Sequence, residues 1–355
     1  MDPSPAPAPD RARPVTIKDV ARLAGVSAGL VSMALADDPR VAVATRASVR
    51  RAAEQLDYVP NSVGRALRSR RLGAIAVVIP HSSQHVFSHP YFVEVLQGVT
   101  EVANAHDLTV VLSTSRDEQD EDAAYLKVLR SRRADGVIVA AAAMTDRNVA
   151  RLASSGYPVV LLGRDPDDPR VIAVGVDDRG GAECATDHLL AVHGRRRIAH
   201  ITGPLGHRSA ADKLVGYRAA LTRRDVPFDE GLVAHGDYSQ ESAVRAGEAL
   251  LARGERFDGL FAANDEMAFG ALQALRRHGL DAPHDVALVG YDDIGLARVI
   301  QPALTTVHQP MAKTGRLAAA RLIEMLDGRE VEPRQLELPT ALVVRGSCGC
   351  AEGGG

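Results

Sequence analysis

Polar side chains follow several apolar, strand-length segments of the sequence at the point where each segment ends. His81 follows the run LGAIAVVIP, Asn264 follows DGLFAA, and Asp292 follows DVALVGY. The carboxyl ends of strands form the ligand-binding crevice of an open α/β sheet, so these side chains are expected to converge. Carboxylate, amide and imidazole groups can all form hydrogen bonds with hydroxyl groups. The spacing therefore indicates a binding site for a small polyhydroxylated compound.

Further residues near the strand ends are candidate ligand contacts or candidate helix caps. Tyr91 and Phe92 begin an amphipathic segment after the first strand, and Arg164 follows the run PVVLLG. Asp265 follows Asn264 directly. Because an Asp after a strand often caps the next helix, we interpret Asp265 as a cap and not as a ligand contact.

The patterns of an enzyme or of a metal site are missing from the sequence. No glycine-rich phosphate loop follows the first strand, no nucleophile elbow occurs, and the 12 histidines show no metal-ligand spacing. Asp292 and Asp293 do not suit an acid–base pair, because neighbouring strand residues point to opposite sides. Cys348 and Cys350, at the chain end, have too few partners for a zinc site. We therefore predict no catalytic residue, no metal and no cofactor.

Composition and charge limit where the protein works and what it binds. Three cysteines cannot form a disulfide framework, which indicates a reducing compartment and a cytoplasmic location. Residues 1–14 are Pro/Ala-rich without an apolar run, so they predict a disordered tail instead of a signal peptide, and no segment could span a bilayer. Residues 1–71 hold 12 Lys or Arg against 7 Asp or Glu, although the whole chain has a net charge of -3. A basic head on an acidic body suits an anionic partner at one end.

From residue 72 onward, short apolar runs alternate with amphipathic helical segments. Runs such as GVIVAAA and RIAHIT read as buried parallel strands, and two successive series of them predict an α/β fold with two doubly wound subdomains. The second series is expected to begin with VIAVGV. A late strand at 304–307 and a helix at 311–326 are too far from either series to extend it, so the chain is expected to cross back. The predicted core is residues 72–346, with an N-subdomain of about 72–174 plus 304–335, a C-subdomain of about 175–303 plus 336–346, and a tail at 347–355.

The segment VTIKDVARLAGVSAGLVSMAL, residues 15–35, predicts two short helices joined by a tight turn. Thr16 and Asp19 have the spacing of a capping box, Gly25 suits the end of the first helix, and Ser27 suits the N-cap of the second. A third helix is predicted within residues 41–61, with Val49 on its buried face. Three such helices form a DNA-binding head over residues 15–60, and its second helix is placed to enter a major groove.

These motifs, taken together, resemble the lactose-repressor/galactose-repressor family of bacterial transcription regulators. The match rests on DVARLAGVS, TR...V..AA..L.YVPN, GVDDRGGAECATDHLL, FAANDEMAFGALQAL and VALVGYDDI. The resemblance implies an effector-binding core similar to periplasmic sugar-binding proteins, in which Asn264 and Asp292 contact the ligand. A family arginine falls on Lys213, which offers a point charge where Arg would offer a bidentate fork. Arg164 could supply that fork or form a surface salt bridge, and both alternatives stay open.

The resemblance also assigns DNA-contacting positions in the head. The family's base-reading positions fall on Ala28 and Gly29, whose side chains cannot form hydrogen bonds with a base, and Met33 stands where many members carry Arg. Apolar contacts with thymine methyl groups remain available there. Ala28, Gly29, Ser32 and Met33 are expected to face outward from the second helix. Ser27 and Ser32 are expected to contact phosphates and so to position the helix. Thr16 is also predicted to contact DNA.

A hinge over residues 61–71 follows the head. In the family this segment folds on DNA, pairs with its copy from a second subunit and inserts a leucine between central base pairs, which matches Leu67. Asn61, Arg65 and Arg68 are predicted to contact DNA beside it.

Gly64 lies in the predicted hinge helix, where the family usually has Ala. Gly costs about 0.8 to 1.0 kcal/mol relative to Ala in a helix, so two hinges would lose roughly 2 kcal/mol of binding free energy. We expect Gly64→Ala to tighten operator binding by about tenfold or more and to weaken induction. Operator titrations at one salt concentration measure this. Weaker binding would instead support the alternative that Gly64 permits close approach of the backbone to DNA.

The sequence therefore predicts a DNA-binding transcriptional regulator. It is expected to act as a repressor, bind a palindromic DNA operator as a homodimer, and respond to a small polar effector such as a sugar. A periplasmic-type solute-binding protein without a DNA role is the alternative. That alternative would share the core, but it would need a signal peptide and would lack the basic head.

Overall fold

The computed structural model describes residues 15–35, 37–58, 71–117, 120, 122–163, 168–254 and 256–350. The chain divides into two compact units, with the division at residue 72. Within the described residues, no helix combines the length and the apolar character needed to cross a bilayer.

The first unit contains a three-helix head, as the spacing predicted. Its helices are α1 (Ile17–Ala24), α2 (Ala28–Leu35) and α3 (Val43–Gln55). Val20, Val31 and Val49, one from each helix, are completely buried against one another in a small apolar core. This core fixes the angle at which α2 leaves the turn, and so it sets the direction in which the exposed side of α2 points.

Local capping explains where the two short helices of the head begin and end. The Asp19 carboxylate accepts from the Thr16 amide at 3.0 Å and from the Thr16 hydroxyl at 2.6 Å. Gly25 ends α1 in the left-handed region at φ 67°, a conformation that glycine adopts without steric cost. The Ser27 hydroxyl accepts from the Leu30 amide at 3.2 Å and starts α2.

The second unit contains two six-stranded sheets, which confirms the α/β fold class. The first sheet has the order β11-β5-β4-β3-β1-β2 and is parallel throughout. Its elements in chain order are β1 (Ala74–Ser82), α4 (Ser83–Ser88), α5 (Pro90–Ala105), β2 (Thr109–Ser115), α6 (Asp122–Ser131), β3 (Gly136–Ala140), α7 (Asn148–Ser154), β4 (Val159–Leu162), β5 (Ile172–Val176) and, after a crossing, α12 (Met311–Leu326) and β11 (Gln335–Leu338).

The second sheet has the order β12-β10-β9-β8-β6-β7, and only its edge strand β12 is antiparallel. Its elements are α8 (Asp178–Ala191), β6 (Ile198–Thr202), α9 (Arg208–Arg223), β7 (Val233–His235), α10 (Gln240–Ala252), β8 (Gly259–Ala262), α11 (Asp265–Arg277), β9 (Ala287–Asp292), β10 (Thr305–His308) and β12 (Ala341–Val343). Buried Val, Ile, Leu and Ala fill the strand interiors, as expected for sheets covered by helices on both faces.

The crossings between the two sheets correct the predicted subdomain boundaries. VIAVGV forms β5 of the first sheet instead of opening the second series, and the late strand predicted at 304 is β10 of the second sheet. The chain therefore crosses after Val176, after His308 and after Leu338, instead of at 175, 304 and 336. Periodicity identified the strands, but it could not assign an isolated strand to a sheet, because that depends on pairing with distant residues.

The predicted tail at 347–355 is also corrected, since residues 346–348 form a 3-10 turn that packs on the second sheet. The Ser347 hydroxyl donates to the Leu288 carbonyl at 2.6 Å and accepts from the Thr305 amide at 2.8 Å. Cys348 is completely buried. The chain is thus an integral part of the second subdomain at least to residue 348.

Two glycines allow α5 and α12 to pack with their backbones in contact beneath the first sheet. A Cβ atom at Gly315 would overlap the carbonyl oxygen of Val95, and one at Gly98 would overlap that of Ala312. Because both obstacles are backbone atoms, rotation of a side chain cannot relieve either clash.

We expect Gly315→Ala to lower the free energy of unfolding by about 2 to 3 kcal/mol, because the added methyl forces α12 away from α5. Urea unfolding of the purified protein measures the loss. Gly295→Ala is the matched control, since its added Cβ would meet no atom within 4 Å. Equal stability of the Gly315→Ala and Gly295→Ala proteins would contradict this account of the packing.

Candidate functional site

A pocket lies between the two sheets of the second unit, at the carboxyl ends of their strands. Six of the seven predicted effector residues line it: His81, Tyr91, Phe92, Lys213, Asn264 and Asp292. The seventh, Arg164, lies outside the described residues, although its neighbour Gly163 is part of the lining. The rule that polar residues after parallel strands converge therefore located this pocket.

Lys213 is a cationic residue of the pocket wall and is only 3% exposed. Its ammonium group lies 3.2 Å from Asp178 Oδ1 and 3.8 Å from the centre of the Tyr291 ring. Burial lowers the pKa of Lys213, but the carboxylates of Asp178 and Asp292 and the Tyr238 hydroxyl outweigh it, so the pKa is raised above its ordinary value. A charged donor in this buried position interacts more strongly with a ligand oxygen than an exposed one would.

Asp292 ends β9 and is a buried carboxyl group in the wall of the same pocket. It is 4% exposed, and its Oδ1 accepts from Gln309 Nε2 at 2.5 Å. Burial raises its pKa to about 7, despite the opposing effect of Lys213 and of the Gln309 hydrogen bond. Asp292 has a φ of 112°, a strained value for a residue with a side chain. Near neutral pH the group can therefore be a hydrogen-bond donor or an acceptor.

Asp293 turns away from Asp292, as the strand geometry predicted. Its carboxylate contacts Arg345 at 2.5 Å, His308 Nδ1 at 3.2 Å and Arg298 at 3.5 Å. The two adjacent carboxylates therefore face different groups, and Asp293 serves to tie β9 to the end of β12 and to β10.

Asn264 has a structural and a pocket-facing role at once. Its side-chain oxygen accepts from the Met267 amide at 2.8 Å and caps α11, while its Nδ2 donates to the Tyr238 carbonyl at 3.0 Å.

Asp265 does not cap the helix, which corrects the interpretation made from the sequence. It is fully buried and accepts from the Ile294 amide at 2.9 Å and from the Thr306 hydroxyl at 2.5 Å.

Several pocket residues were not predicted, although the same rule could have found them. Asp178 follows β5, Tyr238 follows β7 and Gln309 follows β10. Four histidines also surround one side of the pocket, and their rings lie 4.7 to 6.1 Å apart in successive pairs: His81–His85, His85–His89 and His81–His207. The pocket thus combines acidic, cationic and amide groups with flat rings that can cover a ligand.

The second helix of the head offers a small and weakly polar surface. Gly29 and Ser27 are exposed, whereas Ala28 and Met33 are half-buried. Ser32 is only 9% exposed, so the prediction that it faces outward is wrong. At about 100° per residue, Ser32 lies roughly 60° from Leu35, on the flank of the buried face.

The DNA-contacting roles predicted for Thr16, Ser27, Ala28, Gly29, Ser32 and Met33 remain predictions. The hydroxyl of Thr16 is already bonded to Asp19. The hinge positions Asn61, Arg65, Leu67 and Arg68, together with Gly64, lie outside the described residues.

Comparison with known proteins decides which family carries this combination of head and pocket. Residues 16–61 match the model of bacterial regulatory proteins of the lacI family, and residues 186–348 match a periplasmic binding protein-like domain. The HTH-type transcriptional regulator CelR of Thermobifida fusca is 37% identical over 95% of this chain and 99% of its own length. This chain belongs to the LacI family. It is therefore a DNA-binding transcriptional regulator, and the solute-binding alternative is set aside.

Other LacI-family proteins match over nearly their whole length. Catabolite control protein A of Priestia megaterium is 32% identical over 94% of this chain and 99% of its own. The solved CelR–cellobiose complex is 36% identical with a TM-score of 0.73, covering 94% of this chain and 100% of that one. The lac repressor dimer bound to operator and the anti-inducer ONPF is 28% identical with a TM-score of 0.83, covering 95% and 99%.

Proposed function

We propose that this LacI-family regulator is a repressor that binds a palindromic operator as a homodimer and changes its DNA affinity when a sugar binds between its two subdomains. The observation that carries the proposal is that Lys213 and Asp292 line the same pocket and interact electrostatically. Both groups are nearly completely buried, and each is held by other residues. A buried donor and a buried carboxyl group at fixed positions suit a ligand that offers several hydroxyls.

The rings around the pocket support a carbohydrate over a smaller polar compound. Tyr91, Phe92 and Tyr238 line the same space as the charged groups. Ligand sites typically combine such aromatic walls with a few placed polar groups. Because the CelR relative was solved with cellobiose, a glucose disaccharide is the first compound to test.

The operator half of the proposal is tested by selecting bound sequences from random DNA. The enriched sequence should contain two inverted half-sites, and sedimentation should give two chains per site. Affinity should fall steeply with salt, because a basic head neutralises phosphates and releases counterions. A single half-site occupied tightly by one chain would reject the homodimer.

The effector half is tested by calorimetry with cellobiose, other disaccharides and monosaccharides, followed by operator release with any compound that binds. The chain contains no Trp, so calorimetry is preferable to intrinsic fluorescence. A bound sugar that changes operator affinity supports the proposal. Binding of no sugar by protein that still binds its operator would reject the effector class while leaving the regulator intact.

A further inference from the structure

Two histidines and two cysteines meet at the end of the second subdomain, away from the effector pocket. His188 lies near the C-terminal end of α8, His193 follows that helix, and Cys348 and Cys350 flank Gly349 after β12. One ligand atom from each of the four residues lies within 4.8 Å of the others. Cys348 is buried, and the other three are half-buried.

The separations between these atoms suit a tetrahedral metal ion. Zn–S distances of about 2.3 Å and Zn–N distances of about 2.0 Å place tetrahedral ligand atoms roughly 3.3 to 3.8 Å apart. His188 Nε2 lies 3.4 Å from Cys348 Sγ and 3.8 Å from Cys350 Sγ, and His193 Nε2 lies 3.3 Å from Cys350 Sγ. These three separations fall in the range that a shared zinc ion requires, and all four ligand atoms lie within 4.8 Å of one another.

We propose that His188, His193, Cys348 and Cys350 form a structural zinc site. Two thiolates and two imidazoles are a typical ligand set of closed, four-coordinate zinc, and they leave no position for substrate or water. The Thr305 hydroxyl lies 3.1 Å from Cys348 Sγ, where it can support the thiolate from outside. In the sequence, Cys348 and Cys350 stand close together as possible zinc ligands. The histidines that complete the set are 155 or more residues away in the chain and are brought in by the fold.

The site would join the last described residues to α8. That helix carries Asp178 at its first turn and His188 at its last turn, and Asp178 pairs with Lys213 in the effector pocket. A zinc ion therefore stabilises the second subdomain by fixing both the chain end and the helix that supports the pocket. Oxidation of Cys348 and Cys350 to a disulfide would remove both sulfur ligands, so metal binding requires reduced thiols. Both thiols are free in the structure.

Metal content of the untagged, full-length protein tests the proposal. Protein purified under reducing conditions from zinc-supplemented medium should contain about one zinc per chain by elemental analysis, and a chelator should lower its melting temperature. Cys350→Ser and His193→Gln should each weaken zinc affinity more than the 10- to 100-fold typical of changes to outer partners. Cys184→Ser is the matched control, because Cys184 is exposed and lies outside the cluster.

The visible absorption spectrum of the cobalt-loaded protein identifies the type and geometry of the ligands. Wild-type protein loaded with Co²⁺ should show the visible bands of a tetrahedral site and a sulfur-to-cobalt charge-transfer band, and the latter should weaken in the Cys350→Ser protein. If Cys350→Ser fails to fold, the His193→Gln protein provides a different comparison: it should bind Co²⁺ more weakly than wild type while keeping the sulfur-to-cobalt band, because both thiols are intact. The proposal is overturned if reduced wild-type protein binds neither ion, or if both folded variants bind zinc as tightly as wild type.

Discussion

Replacing Asp292 with alanine is expected to weaken effector binding by about 100-fold or more. The change removes the buried carboxyl group that would bond ligand hydroxyls, and it leaves Gln309 Nε2, now 2.5 Å from Asp292 Oδ1, without that acceptor. A hydrogen bond to a charged group contributes about 1.5 to 3 kcal/mol, and truncating one partner of a buried pair costs more. At about 1.4 kcal/mol per tenfold, the loss of two hydrogen bonds between the carboxyl group and ligand hydroxyls gives the expected factor.

Calorimetric titration with the effector measures this loss, and operator titration shows whether the variant still forms its DNA complex without responding to effector. Asp281→Ala provides the control, because it removes an exposed carboxylate from the same subdomain. If Asp292→Ala bound effector as tightly as the control, the assignment of Asp292 to the ligand would be wrong.

Six of the candidate residues named from the sequence line one pocket, because each was identified from a local pattern. A polar residue at the end of an apolar run, such as His81 or Asn264, can be read directly, and parallel pairing then brings such ends together. The sequence could not show that the Asn264 oxygen is also used to cap α11. It also could not show that Lys213 is paired with Asp178, because that contact depends on how α8 and α9 pack.

Three of the shortcomings of the prediction share one physical origin. Assigning β5 and β10 to a sheet, burying Ser347 under the second sheet and joining His188 to Cys348 all depend on contacts between residues far apart in the chain. Apolar periodicity reports only which face of an element is covered, and not which element covers it. The position of Ser32 is a different case, since α2 is apolar on most of its sides, and periodicity then does not separate buried from exposed positions.

A second large effect is expected in the pH dependence of stability. In the folded protein burial raises the pKa of Asp292 to about 7 from an ordinary value of 3.8. Between these values the folded state keeps a proton that the unfolded state has lost. The contribution of Asp292 to the free energy of unfolding is therefore greatest below about pH 4, and it is lost as the pH rises to about 7. At 1.36 kcal/mol per pKa unit, the loss is on the order of 4 kcal/mol.

The whole-protein profile will not show this loss directly, because two buried histidines act in the opposite direction. Burial lowers the pKa values of His89 and His200 to about 4, so their unfolded forms take up protons as the pH falls below about 6.5. Their contribution is lost as the pH falls, whereas that of Asp292 is lost as it rises. Subtracting the profiles of two proteins that differ only at Asp292 removes the histidine contribution.

Asp292→Asn is the appropriate variant, because the amide imitates the neutral carboxyl group and its oxygen can still accept from Gln309. The variant should match wild type in urea unfolding near pH 4 and become progressively more stable than wild type up to about pH 7, with a difference on the order of 4 kcal/mol. Asp281→Asn, at an exposed position, is the control for introducing an amide. A difference between Asp292→Asn and wild type that stays constant from pH 4 to pH 7 would mean that Asp292 is already ionised in the folded protein. The buried carboxyl group would then be a fixed acceptor for the effector, unable to donate a proton to it.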